Sequence, residues 1–338
     1  MTRALQILSA GLGVSVQDMG RPGLLAMGIS RGGAADPVAI AEGAVLLGQS
    51  ADLAVLEMAG MGGQFTTSAD VRIALTGAEM QVDLDGQALR WNASHVMPKG
   101  SRLNIGAAKN GTYGYLSVGG GFGVPLVMGS RSTHVSAGIG HQIIDGGELP
   151  IGIDQSDQTG LLIEPIPRFG GGVVRISPSV QTSLFQAELH RFEMTEFTRD
   201  MRGNRMGVRM DSATKGFGSD LGLSLLSEVI VPGDIQITGD GSPFVLLCEC
   251  QTTGGYPRIG TVLPCDLPRV VQARPGTSLQ FQFVELENAI AAEQAHRAAL
   301  VALPKTLKPL LRNPHDMMDL LSYDLISGMI TGTEEDKT

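Results

Sequence analysis

Forty-six glycines among 338 residues, about twice the usual share, lie between short apolar runs along the whole chain. Long helices do not tolerate that density, because an interior glycine costs about 0.5–1 kcal/mol relative to alanine. Short strands joined by tight turns do. Hydrophobic residues make up 43% and charged residues 17%, enough apolar surface for sizeable cores. The chain reads as mainly β, long enough for two domains.

One helix interrupts residues 1–150. In DPVAIAEGAVLLG, Asp36 can cap, Pro37 suits the first helical position and Gly48 can close the end. Two short strands are expected in the first twenty residues. Others are expected near 53–58, 71–76, 80–84, 87–91, 101–105 and 113–119, with Asp85-Gly86 as a hairpin turn. The Asp/Gln/Pro/Gly-rich stretch that begins at Gly146 supplies a linker, set at 151–172. Strands resume at Val173–Ile176, a short helix is expected at 179–190, and further strands at 192–195, 206–210, 234–238, 244–250 and 278–284. The stretch from Gly100 and the stretch from Gly233 echo one another: glycine, alternating strand, polar turn, apolar strand, glycine cluster. This suggests two barrel-like domains of related design, 1–150 and 173–286. Residues 287–338 read as a helical tail, with a second helix capped by Asn313 and Pro314 that must dock on the body or on a partner.

Several functions are disfavoured. A net charge of −9 and 4% aromatic residues do not suit nucleic acid. No run approaches the roughly 20 apolar residues of a membrane helix, and the N-terminus lacks a clean secretory signal. Three cysteines, Cys248, Cys250 and Cys265, fit buried thiols in a reducing, cytoplasmic setting. No phosphate-loop or zinc-ligand spacing occurs. The glycine run at 119–123 is followed by Val124-Pro125 where a dinucleotide loop needs a helix.

Several longer stretches occur in a telling order: VQDMGRPG at 16–23, GISRGGAADP at 28–37, LEMAGMGGQF at 56–65, LSVGGGFGVPLVMGSRST at 116–133, NRMGVRM at 204–210, and QTTGGYPRIGTVLPCDLPRV from Gln251. Together they resemble the biotin-dependent carboxyltransferase family over residues 3–290. That family includes the C subunits of bacterial 5-oxoprolinases, also called allophanate hydrolase subunit 2 or kinase-inhibitor antagonists. The resemblance implies two cyclophilin-like β-barrels. It implies a hydrolase subunit that acts on 5-oxoproline, a small-molecule amide, together with a B-type subunit of the kinase-inhibitor family and an A-type subunit. ATP is then used by the assembled complex, while this chain binds no cofactor and carries no biotin. Two other roles stay open: a non-catalytic module that sequesters a kinase-inhibitor-type partner, and a carboxyltransferase component acting on urea or a similar amide. The tail can equally carry a homo-oligomer. The family's Pro-x-Ser-Gly-Ala-Met-Asp-Pro reads here as Ser30 to Pro37, with Gly32 in place of serine and Ala35 in place of methionine.

Opening a lactam develops negative charge on oxygen, which amide N–H groups and an arginine stabilise. Thr252, Thr253, Gly254 and Gly255 can form an anion nest, with the threonines as catalytic donors. Arg258 can pair with a substrate carboxylate, Tyr256 can wall the pocket, and Gln251 adjoins it. Asp18 and Arg21 are either a local ion pair or an anion site oriented by the acid. Arg131 and Ser132 offer a second carboxylate-binding stretch. Asn204 and Arg205 precede a strand and can face the same cleft, and Asp266 is a candidate base. Asp36 reads as a helix cap rather than a catalyst.

Overall fold

Asp36 Oδ1 accepts from the Val38 amide at 3.2 Å, and Pro37 opens the helix Pro37–Leu47. Gly48 closes it at φ +60°, a conformation that disfavours side chains. The computed structural model describes residues 3–219 and 225–311, so the tail helix expected from Asn313 lies outside the described residues.

The first half wraps two antiparallel sheets around one core. One sheet runs in the spatial order Glu148–Pro150, Ala4–Ala10, Gly63–Thr67, Arg102–Ala108, Met80–Leu84, Gln87–Ala88. The other runs Val14–Gln17, Val55–Ala59, Tyr113–Val118, Val71–Gly77, Ala93–Met97, Leu161–Leu162, Lys308–Pro309. Leu5, Ile7, Phe65 and Leu103 from the first meet Val16, Leu56, Ile73 and Leu116 from the second. The second half is a closed seven-stranded barrel: Gly172–Ser177, Arg258–Val262, Asp234–Ile237, Pro243–Leu246, Gly207–Asp211, Phe197–Asn204, Ser278–Phe283. Phe192, Phe197, Phe217 and Phe281 fill one region of it, with ring centroids 5.0–5.8 Å apart.

The architecture is thus mainly β with few helices, and the helix Leu286–Ala302 begins the expected tail. The described part of that tail, up to residue 311, packs on the body. Leu303 packs with Leu46, Leu47 and Ala74, and Lys308–Pro309 pairs with Leu161–Leu162 at the edge of the seven-stranded sheet.

Four local expectations need correction. Residues 151–172 are not a free linker: Leu161–Leu162 joins the seven-stranded sheet, and Asp154 forms an ion pair with Arg72 at 2.5 Å. The helix expected at 179–190 is a single 3₁₀ turn, Thr182–Phe185, followed by the helix Leu189–Met194. Hydroxyls compete there with helical bonding: Thr182 Oγ1 accepts from the Ser179 amide and donates to the Ile259 carbonyl. Residues 192–194, expected as strand, belong to that helix, which buries Phe192. The strand expected at 244–250 ends at Leu246. Residues beyond it turn away, with Cys250 N bonded back to Leu247 O, and this turn carries Glu249 out of the ladder.

Candidate active site at the seam between the two β bodies

Arg205 and Glu249 leave the second barrel side by side, tied by the Glu249 amide bonding the Arg205 carbonyl at 2.9 Å. The Arg205 guanidinium donates to Glu249 Oε1 at 2.5 Å. It also donates across the seam to Glu57 and to the Gly33 carbonyl. Glu57 in turn accepts from the Ala35 amide and the Tyr115 hydroxyl, each at 2.7 Å. Burial works against the charge on Arg205, but Glu57 and Glu249 more than offset it and hold the pKa well above its ordinary value. Gln272 adds a second lock from the barrel, donating to Asp36 Oδ2 at 2.7 Å and accepting from the Thr112 and Tyr113 amides.

Beside this lock lies a buried polar cluster built largely from the first half. Arg21 is 1% exposed. Its Nη2 donates to the Ser132 carbonyl at 2.5 Å, whereas Nη1 is enclosed and has no hydrogen-bond partner among the described residues. A buried guanidinium N–H left unpaired is costly, and burial indeed pulls the Arg21 pKa down despite nearby Asp18 and Glu249. Gly32 sits against it at φ +60°; a Cβ there would stand 3.5 Å from Nη1 and 3.3 Å from His134 Cδ2. His134 Nε2 lies 2.8 Å from Ser30 Oγ.

The order Ser30, His134, Glu249 suggests a nucleophile triad, but the hydrogen bonding points elsewhere. His134 Nδ1 accepts from the Ala137 amide at 3.3 Å and stands 3.6 Å from Glu249 Oε2. A lone pair on Nδ1 places the proton of the neutral ring on Nε2, donating to Ser30. Burial, with help from Arg21 and Arg205, lowers the His134 pKa against the pull of Glu249, so the ring is neutral at pH 7. Glu249 is ionised: burial opposes its charge, but Arg205 and the Ser136 hydroxyl and amide hold its pKa below the ordinary value. The cluster offers fixed donors, one of them unpaired at Arg21 Nη1, and no activated hydroxyl.

The predicted residues divide among separate places. Asp18, Arg21, Arg131 and Ser132 come together: Asp18 accepts from Ser130 Oγ and the Arg131 amide, each at 2.6 Å. Among the described residues, Asp18 and Arg21 form no ion pair with each other. Arg205 joins this group through Glu249. Asn204, Gln251 and Tyr256 instead line a cleft of about 280 Å³ on the second barrel. The expected nest at 252–255 is not formed. Thr253–Gly254 is a strand paired with Glu228–Val229, and the carbonyls of Thr252 and Gly255 accept from Ile230 and Leu225. Neither Gly254 nor Gly255 has positive φ. They are glycines for closeness: a Cβ on Gly254 would be 2.6 Å from Gln236 Nε2, and one on Gly255 2.9 Å from the Leu225 carbonyl.

Arg258 is engaged by Glu228 at 2.7 Å and Asp234 at 3.3 Å, which leaves it no free face for a substrate carboxylate. Asp266 is held by Arg175 through two guanidinium contacts, at 2.6 and 2.8 Å, and the Arg175 amide at 2.8 Å. Burial opposes its ionisation, yet those donors lower its pKa below the ordinary range, the wrong direction for a general base. The three thiols are pushed up to about 12, chiefly by burial, and are not nucleophiles at neutral pH.

Residues 27–283 match the family model described as carboxyltransferase domain, subdomain A and B. The chain belongs to this carboxyltransferase-domain family. It is 34% identical to the 5-oxoprolinase C subunit of Escherichia coli K12 over 298 residues, 86% of this chain and 94% of that protein. It is 32% identical to the protein of the same name from Haemophilus influenzae over 290 residues, covering 84% and 93%. K. lactis urea amidolyase shares the fold at TM-score 0.78 and 22% identity; the match covers 92% of this chain and 21% of that much longer one.

Within this carboxyltransferase-domain chain, sequence reasoning passed over Glu57, Ser30 and His134 as site residues. His134 directly follows the Gly129–Thr133 stretch, and a histidine beside paired hydroxyls and arginines was the available signal. Glu57 carried none, since it lies within an otherwise apolar strand and its role depends on Arg205 arriving from 148 residues away. Among the described residues no helix is long and apolar enough to cross a membrane.

Proposed function

We propose that this chain is the C-type subunit of an ATP-dependent 5-oxoprolinase, acting with B-type and A-type subunits, and that the buried polar cluster at the seam opens to receive the carboxylate of 5-oxoproline. The observation that carries this reading is the unpaired, buried Arg21 Nη1. A carboxylate oxygen satisfies it through a charge-assisted hydrogen bond, worth about 1.5–3 kcal/mol. Urea has no carboxylate, so the same feature weighs against the chemistry named for the yeast relative. Because Nη1 is enclosed, admission requires movement of the exposed turn at 135–138, whose amides contact both Glu249 and His134. Neutral His134 and the Ser30 hydroxyl orient the ligand beside it.

The proposed assembly consumes ATP on its other subunits; this chain carries neither nucleotide nor biotin. Co-expression with B-type and A-type subunits tests the reading. ATP hydrolysis that depends on 5-oxoproline is expected with the chain present and absent without it. Undiminished activity without the chain contradicts the assignment.

A further inference from the structure

The cleft on the second barrel has a composition unlike the seam. None of its lining residues carries a charge. Met206, Ile230, Phe244 and Leu246 supply an apolar wall, and Tyr256, 44% exposed, stands at the rim. Gln236 also lines it, although that residue is only 6% exposed. Its Nε2 is buried and has no hydrogen-bond partner among the described residues. Gly254 lies directly over that nitrogen, since a Cβ there would approach it to 2.6 Å. A mostly apolar hollow with a few convergent polar groups is the usual form of a small-ligand site, and a buried amide group without a partner calls for one.

We propose that this cleft binds an uncharged small molecule that presents an amide next to a single apolar group. The apolar group packs against Met206, Phe244 and Leu246. The ligand amide pairs with the Gln236 carboxamide once that side chain turns from Gly254 toward the hollow, and because an amide offers both a carbonyl and an N–H, it matches either orientation. An ionised ligand is disfavoured, because no counter-charge lines the hollow to offset its desolvation. The site is separate from the seam and does not depend on the function proposed there.

The test is a titration of the purified full chain with N-acetyl-leucinamide, followed by the methyl resonances of Met206, Ile230 and Leu246. Saturable shifts confined to these methyls are expected, with affinity at least tenfold weaker in Gln236→Leu and weaker for the carboxylate N-acetyl-leucine. If Gln236→Leu does not fold, Tyr256→Ala takes its place and should weaken binding at least threefold. Absence of saturable shifts, equal affinity in the folded variant, or equal affinity for the carboxylate overturns the proposal.

Discussion

Arg205 of the closed barrel donates to Glu57 of the facing sheet, and Glu57, fully buried, has no other cation in contact with it among the described residues. Replacing Arg205 with methionine leaves Glu57 and Glu249 buried without this cation. Removing one partner of such a pair typically costs about 3–5 kcal/mol. Denaturant unfolding of Arg205→Met should show a loss of this size; a loss below about 1 kcal/mol would mean that the seam does not rely on the pair.

His134 sets a pH dependence of defined sign. Burial depresses its pKa in the folded chain, so the unfolded state takes up protons first as pH falls. Its contribution to stability is complete above the unfolded value, near 6.5, and is lost as pH falls through the lower folded value. His95, also depressed by burial, acts in the same direction. Stability should therefore decline on acidification below about pH 6.5, and His134→Gln should flatten part of that decline. An unchanged slope in the variant contradicts the assignment of a neutral ring.

Much of the fold was legible because it follows local rules. Asp36, Pro37 and Gly48 bracket the first helix as their chemistry requires, and the alternating runs around Val71 and Met80 became strands. The strands Gly63–Thr67 and Ala93–Met97 were not legible, because glycine, threonine, serine and histidine dilute their apolar signal. The site was read less well for a reason of another kind. Arg21, Arg205 and Arg258 look alike in sequence, and only the partners supplied by distant strands separate an unfilled guanidinium from two that are filled.

Asp266 tests that distinction. Its ion pair with half-exposed Arg175 is a structural tie, so Asp266→Asn should cost about 1–3 kcal/mol while the assembled complex keeps kcat within about twofold. Loss of turnover in a folded variant would restore Asp266 as a base.

Arg258→Ala should likewise act on structure. It frees Glu228, whose strand covers the Thr253–Gly254 pair, and should increase amide exchange there. The KM for 5-oxoproline should stay within about twofold. A tenfold rise without added exchange would place the substrate at the barrel instead of the seam.

The most direct test of the seam assignment is the KM for 5-oxoproline of the assembled complex carrying Arg21→Gln. Glutamine keeps a polar carboxamide but removes the guanidinium whose Nη1 has no partner among the described residues. Losing a charge-assisted bond corresponds to about a ten- to hundredfold rise in KM. That rise, with the variant folded and ATP turnover restored at saturating substrate, is the predicted result; an unchanged KM in a folded complex contradicts it.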